Sequence, residues 1–140
     1  MNLLLIFKII YKKSLANLDK LKANFGGTDI YSPLEGIFKS KNNNKINLPK
    51  NIFLLTDGEI NNKARTLKLI EDNNSIYRVY SIGIGNSFDK DLIKKMGLLG
   101  KGNYDFCTDI DLLNEVIATE IGKVTSLVLM LIILVLLLQN

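Results

Sequence analysis

Apolar residues in the middle of the chain follow a pattern that alternates between strands and helices. Apolar runs predict two strands covered on both faces, at 51–56 and 77–84, and a third, shorter strand is expected at 103–107. After each strand, apolar residues at spacings of three and four predict a helix; the positions are Ile60, Ala64, Leu67 and Ile70, then Leu92, Ile93, Met96 and Leu99, then Leu112, Leu113, Val116, Ile117 and Ile121. This order predicts an α/β fold with a reduced, doubly wound, mostly parallel sheet and flanking helices.

Two helices are predicted before the first of these strands. One face of residues 15–25 is apolar at helical spacing, and the glycine pair Gly26-Gly27 ends it. Pro33 suits the first turn of a second helix, which extends to about Lys39 and is followed by an exposed, Asn-rich loop. Residues 1–14 contain the apolar run LLLIFKIIY, which fits a strand, a helix or a signal-peptide core, and they are assigned no structure.

The C-terminal end of the chain is apolar on every side. Residues 124–138 include only Thr125 and Ser126 as polar residues, so a helix here has no polar face to expose to water. We therefore expect residues 15–120 to form the folded domain and residues 121–138 to form a transmembrane or membrane-inserted helix, although ~20 residues is the usual length of a span. The expected location is a membrane, with a single C-terminal tail and the domain facing the cytoplasm. A cytoplasmic chain is the alternative.

The composition excludes several kinds of chemistry. The chain has no histidine, and Cys107 is its single cysteine, so His-based catalysis, disulfides and zinc-thiolate sites are excluded and any metal must be bound by oxygen. The net charge of +4 comes mainly from lysines that are scattered along the sequence rather than clustered. We therefore expect no nucleic-acid partner.

Asp57 is the acid best placed for function. It directly follows the first central strand, and ligands of parallel sheets bind beyond the carboxyl ends of the strands. Spacing alone leaves two roles open: a metal-binding or nucleophilic carboxylate, or a cap for the following helix.

Two other features receive structural interpretations. The segment from Gly83 to Phe88 resembles the start of a dinucleotide-binding loop, but Phe88 stands where a small residue must let the helix approach its strand. Cys107 ends an apolar strand and is interpreted as a buried, inert thiol. We expect no small-molecule substrate.

Three ordered motifs carry a resemblance to a known family. The segments GGTDIYSPLEGIF at 26–38, FLLTDGE at 53–59 and YSIGIG at 80–85 resemble a von Willebrand factor type A domain over residues 15–120. The sequences of the first two segments are most similar to the domains of inter-alpha-trypsin inhibitor heavy chains and their intracellular relatives that carry a VIT domain. The resemblance implies a doubly wound, Rossmann-like sheet.

The resemblance also implies a metal-ion-dependent adhesion site, where oxygens on three loops hold a divalent cation, usually Mg²⁺. By position, Thr28 resembles the threonine of the second loop, and Asp57 resembles the aspartate of the third loop, which often acts through water. The first-loop motif Asp-x-Ser-x-Ser does not occur in this chain, so the domain is expected to be N-terminally truncated. A partial site of Thr28 and Asp57 is expected to bind Mg²⁺ weakly at best.

The resemblance implies a non-enzymatic protein-binding module with a degenerate adhesion site and an unknown protein partner. The alternative from another class is a Mg²⁺-dependent phosphoryl-transfer or hydrolase domain that uses Asp57 as its nucleophile. A third hypothesis is a non-functional fragment of a larger type A domain protein.

Overall fold

The computed structural model of the chain describes residues 29–39, 50–57, 60–125 and 132–137. The elements follow in the order α1 (Tyr31–Lys39), β1 (Lys50–Thr56), α2 (Lys63–Asn73), β2 (Tyr77–Ile84), α3 (Lys90–Leu99), β3 (Lys101–Cys107), a 3-10 turn (Ile110–Leu112), α4 (Leu113–Thr125) and β4 (Ile132–Leu137). The four strands form one sheet in the order β3-β2-β1-β4, and each neighbouring pair is parallel. The predicted α/β fold class with a parallel sheet is confirmed.

The register brings the carboxyl ends of three strands to one edge of the sheet. Thr56 of β1 pairs with Gly83 of β2, and Gly83 in turn pairs with Phe106 of β3. The loops that follow β1, β2 and β3 therefore leave the sheet side by side. This confirms the prediction that the loops at Asp57 and Gly85 lie on the same edge.

Alternating side chains of β1 enter two cores, one on each face of the sheet. On one face, Ile52 and Leu54 pack with apolar residues of α1, α2 and α3. On the other face, Phe53 and Leu55 pack with β2 side chains and with α4. Helices on both faces explain why β1 is buried along its whole length, and they make the sheet doubly wound.

Side-chain caps set the beginnings of two helices. The carboxylate of Asp29 accepts hydrogen bonds from the backbone N–H groups of Tyr31 (3.0 Å) and Ser32 (3.3 Å) at the start of α1. The carboxylate of Asp89 accepts one from the N–H of Leu92 (3.0 Å) at the start of α3. Both caps satisfy donors that lack a partner within the helix.

The predicted apolar C-terminal helix over 121–138 is wrong at Ile132–Leu137. Helix α4 continues through the start of the predicted span to Thr125, but Ile132–Leu137 form β4, which pairs in parallel with β1 from Asn51↔Ile132 to Thr56↔Leu137. A run of aliphatic residues fits a strand covered on both faces as well as it fits a membrane helix, and the β-branched Ile132, Ile133 and Val135 favour the strand. Within the described part of the chain, no helix combines the length and apolarity needed to cross a membrane.

Candidate functional site

The candidate site is the edge of the sheet where β1, β2 and β3 end. Asp57 follows β1, residues 85–89 follow β2, and residues 108–112 follow β3. Neighbouring strands are ~4.8 Å apart, so these three loops lie within about 10 Å of one another across the sheet. The edge therefore collects side chains that are far apart in the sequence.

Asp57 is half-buried at this edge, directly after the buried Thr56. The N-cap position of α2 belongs to Asn62, so the interpretation of Asp57 as the cap of this helix is not the one that the structure adopts. The other predicted metal ligand, Thr28, lies outside the described residues. Among the residues that are described, no three His, Cys, Asp or Glu side chains form a group able to hold a metal ion.

The loop after β2 is shaped by the packing of an aromatic ring. Phe88 is buried and stacks on Phe106 of β3, with ring centroids 5.5 Å apart. A Cβ atom on Gly83 would lie 2.5 Å from the Phe88 ring, so this position has no room for a side chain. Gly85 has φ +78°, a conformation that glycine adopts without strain. Packing and backbone geometry thus give these two glycines a structural role.

A salt bridge connects the first residue of α2 with the N-cap residue of α3. Lys63 Nζ donates to Asp89 Oδ2 at 2.7 Å, while the other carboxylate oxygen caps α3. Two hydrogen bonds lower the pKa of Asp89: the bond from Lys63 has the larger effect, and the bond from the Leu92 N–H has the next largest. Asp89 was not predicted as a functional or capping residue, although an aspartate three residues before the apolar Leu92 is a recognisable N-cap signal.

The turn after β3 is fixed by several hydrogen bonds. The Gly85 N–H donates to the Cys107 carbonyl at 2.8 Å, which joins the turn to the loop after β2. The Asp109 carbonyl accepts from the Cys107 thiol (3.0 Å) and from the Leu112 N–H (3.1 Å), and the Asp109 carboxylate accepts from the Asp111 N–H (3.0 Å). Hydrogen bonds therefore fix the backbone of residues 107–112 at both ends.

At this turn Cys107 is buried and Leu112 is exposed. Cys107 is buried, as predicted. Burial is the main cause that raises the pKa of its thiol, and the nearby charge of Asp109 is the second. Leu112 was predicted to lie on the buried face of the last helix, but it belongs to the 3-10 turn and is exposed. The apolar side of α4 instead begins at Leu113.

Helix α4 also carries a buried acid that was not predicted. The Glu120 carboxylate is buried against β3, where it accepts a hydrogen bond from the Asn103 amide (2.9 Å) and pairs with Lys123. Both partners stabilise its charge inside the protein. Glu120 fixes α4 to the beginning of β3, at the other end of this strand from the candidate site.

The arrangement defines a doubly wound α/β domain whose exposed loops gather at the carboxyl edge of a parallel sheet. Residues 12–106 match the model of the von Willebrand factor type A domain, and the chain belongs to this family. This confirms the family predicted from the three motifs, while the finer similarity to inter-alpha-trypsin inhibitor heavy chains stays a prediction. Domains of this family are generally protein-interaction modules that are typically not enzymes.

Several proteins are similar to this chain. A von Willebrand factor A domain-containing protein of Dictyostelium discoideum is 34% identical over 94 residues, which are 67% of this chain and 10% of the relative. The von Willebrand factor A domain-containing protein 5B1 of Mus musculus is 30% identical over 112 residues, which are 80% of this chain and 9% of the relative. The von Willebrand factor A domain-containing protein 5A of Rattus norvegicus is 29% identical over 100 residues, which are 71% of this chain and 12% of the relative. The chain thus spans about a tenth of the length of these relatives. No solved structure matches the chain.

Proposed function

We propose that this chain is a non-enzymatic protein-binding module that contacts its partner with the carboxyl edge of the sheet. The observation that carries the proposal is the connection between neighbouring loops at that edge. The Lys63–Asp89 bridge joins the start of α2 to the loop before α3, and the Gly85–Cys107 hydrogen bond joins the end of β3 to the loop after β2. Loops held in one arrangement lose less conformational entropy on binding, which favours recognition of another protein.

Site-specific photo-crosslinking tests this function. We place the photo-reactive residue p-benzoylphenylalanine at Asn86, which is exposed in the loop after β2, and in a second variant at Asp72, which is exposed near the end of α2 at the opposite edge. After illumination in cells, we expect a reproducible adduct with the same protein from position 86 and none from position 72. Adducts from position 72 alone, or equal adducts from both positions, contradict binding at the carboxyl edge.

We further propose that Asp57, together with Thr28, forms a partial site for Mg²⁺. The Asp57 carboxylate supplies an oxygen of the kind that Mg²⁺ prefers. The neighbouring Thr56 hydroxyl is buried and has no hydrogen-bond partner among the described residues, so the end of β1 offers a second oxygen that a bound, hydrated cation could satisfy. Two or three oxygens leave most of an octahedral shell to water, so we infer weak binding.

Titration with Mg²⁺ tests this partial site. We expect a dissociation constant in the millimolar range from calorimetry or from the amide shifts around residue 57. Asp57→Ala should abolish the response, whereas Asp72→Ala, a matched change on α2, should leave it unchanged. Tight binding that depends on Asp57 contradicts a degenerate site, and a response that survives Asp57→Ala contradicts the assignment of this ligand.

A further inference from the structure

The turn after β3 exposes two large apolar side chains that are separated by one residue in the sequence. Ile110 is 61% exposed and Leu112 is 49% exposed, and both belong to the same 3-10 turn. Exposed side chains of this size occur singly on most surfaces, but a pair on one short turn is a candidate contact surface. We call residues 108–112 the apolar turn.

The exposure of this turn is not a result of loose packing. The apolar turn follows the buried Cys107, whose thiol and carbonyl are both hydrogen-bonded, and it continues directly into α4. Its own backbone is closed by the bonds to Asp109. Ile110 and Leu112 are therefore held outward by a fixed backbone, which reduces the entropic cost of burying them against a partner.

The charged side chains on and next to the apolar turn are negative. Asp109, Asp111 and Glu115 are all exposed, and none of them forms an ion pair with a lysine or arginine in the part of the chain that the structure describes. The chain as a whole carries a net charge of +4, so this is a local acidic region on a basic protein. A partner that buries the two apolar side chains must also approach these three carboxylates.

We infer that the apolar turn binds a segment of a partner protein that is both basic and apolar. Lysine or arginine side chains of the partner would pair with the three carboxylates, and its apolar side chains would cover Ile110 and Leu112. The inference rests on the proposed protein-binding function and specifies its partner. The proposed contact uses no metal ion, so the interaction does not depend on Mg²⁺ or on Asp57.

Peptides of known composition test the inference on the full-length, isotope-labelled chain. The probe is a peptide of about ten residues that alternates lysine and leucine; one comparison peptide replaces lysine by glutamate, and another replaces leucine by serine. We expect the lysine–leucine peptide to shift the amide resonances of residues 108–115 selectively. Both comparison peptides should bind at least about tenfold more weakly, because each loses one half of the contact.

Matched variants separate the apolar turn from other exposed residues. Ile110→Ser should weaken binding about tenfold, whereas Leu98→Ser, which changes a residue that is 57% exposed at the end of α3, should have no effect. Asp111→Asn should weaken binding and reduce its dependence on salt, because one carboxylate is removed while the Asp111 N–H keeps its bond. Addition of Mg²⁺ and the Asp57→Ala variant should leave the affinity unchanged.

Three results overturn the inference: equal affinity for either comparison peptide, shifts spread over the whole chain, or equal effects of Ile110→Ser and Leu98→Ser. The photo-crosslinking experiment keeps this failure separate from failure of the proposed function. An adduct from position 86 together with any of these three results leaves the carboxyl edge as a protein-binding surface and rejects only the basic, apolar partner.

Discussion

At the scale of single residues, Asp89 stabilises two elements with one carboxylate. One oxygen caps α3 and the other pairs with Lys63 at the start of α2, so the side chain holds the edge of the sheet together. Asp89→Ala removes both contacts. We expect a loss of about 1 kcal/mol in the free energy of unfolding, measured by urea titration, because the loss of an aspartate cap costs about that much.

The conservative variant Asp89→Asn separates the two contacts. An asparagine side chain still caps the helix but carries no charge, so we expect a smaller loss than for Asp89→Ala, since a partly exposed ion pair contributes about 0–1 kcal/mol. Equal losses for the two variants would show that the cap contributes nothing.

The same carboxylate makes stability depend on pH in a defined direction. The bond from Lys63 and the bond from the Leu92 N–H hold the pKa of Asp89 in the folded protein below 3.8, its ordinary value. A depressed pKa means that the stabilisation is fully present above this value and is lost as the pH falls below it. Asp89→Asn should therefore flatten the fall in stability below pH 3.8, and an unchanged acid profile contradicts this role.

At the scale of elements, the sequence pattern predicted most of the sheet and the helices that lie between its strands. Predominantly apolar runs identified β1 and β2, because strands covered on both faces bury most of their side chains, and parallel order placed Asp57 and Gly85 at one edge. The pattern did not distinguish β4 from a membrane helix. When every residue is aliphatic, neither the period of two nor the period of 3.6 is visible, and only the pairing with β1 decides.

The candidate site was less predictable than the elements. Asp57 was found because the end of a strand in a parallel sheet is a known location for ligands. Leu112 was assigned to a buried helix face because its spacing from Val116 is helical, while the 3-10 turn that precedes α4 shifts it outward. Such a turn is fixed by contacts of Asp109 with Cys107, and contacts between side chain and backbone are not visible in hydrophobic periodicity.

At the scale of the whole molecule, β4 makes the C-terminal residues part of the sheet. Six residues of β4 pair with β1, which places β1 between two neighbours instead of at the edge. A chain that ends at Thr125 exposes this side of β1. With ~0.5–1.5 kcal/mol for each net backbone hydrogen bond, we expect the shortened chain to lose about 3 kcal/mol or more in its free energy of unfolding.

A control chain that ends at Leu137 keeps β4 and should be as stable as the full chain. Hydrogen exchange adds a local measurement, since β1 amides that face β4 should exchange faster only in the chain that ends at Thr125. A separate membrane anchor leads to the opposite expectation, because its removal leaves the folded domain unchanged. If the two shortened chains unfold at the same urea concentration, and only the chains that keep residues 132–137 associate with lipid vesicles, the C-terminal run acts on a membrane and its pairing with β1 does not stabilise the domain.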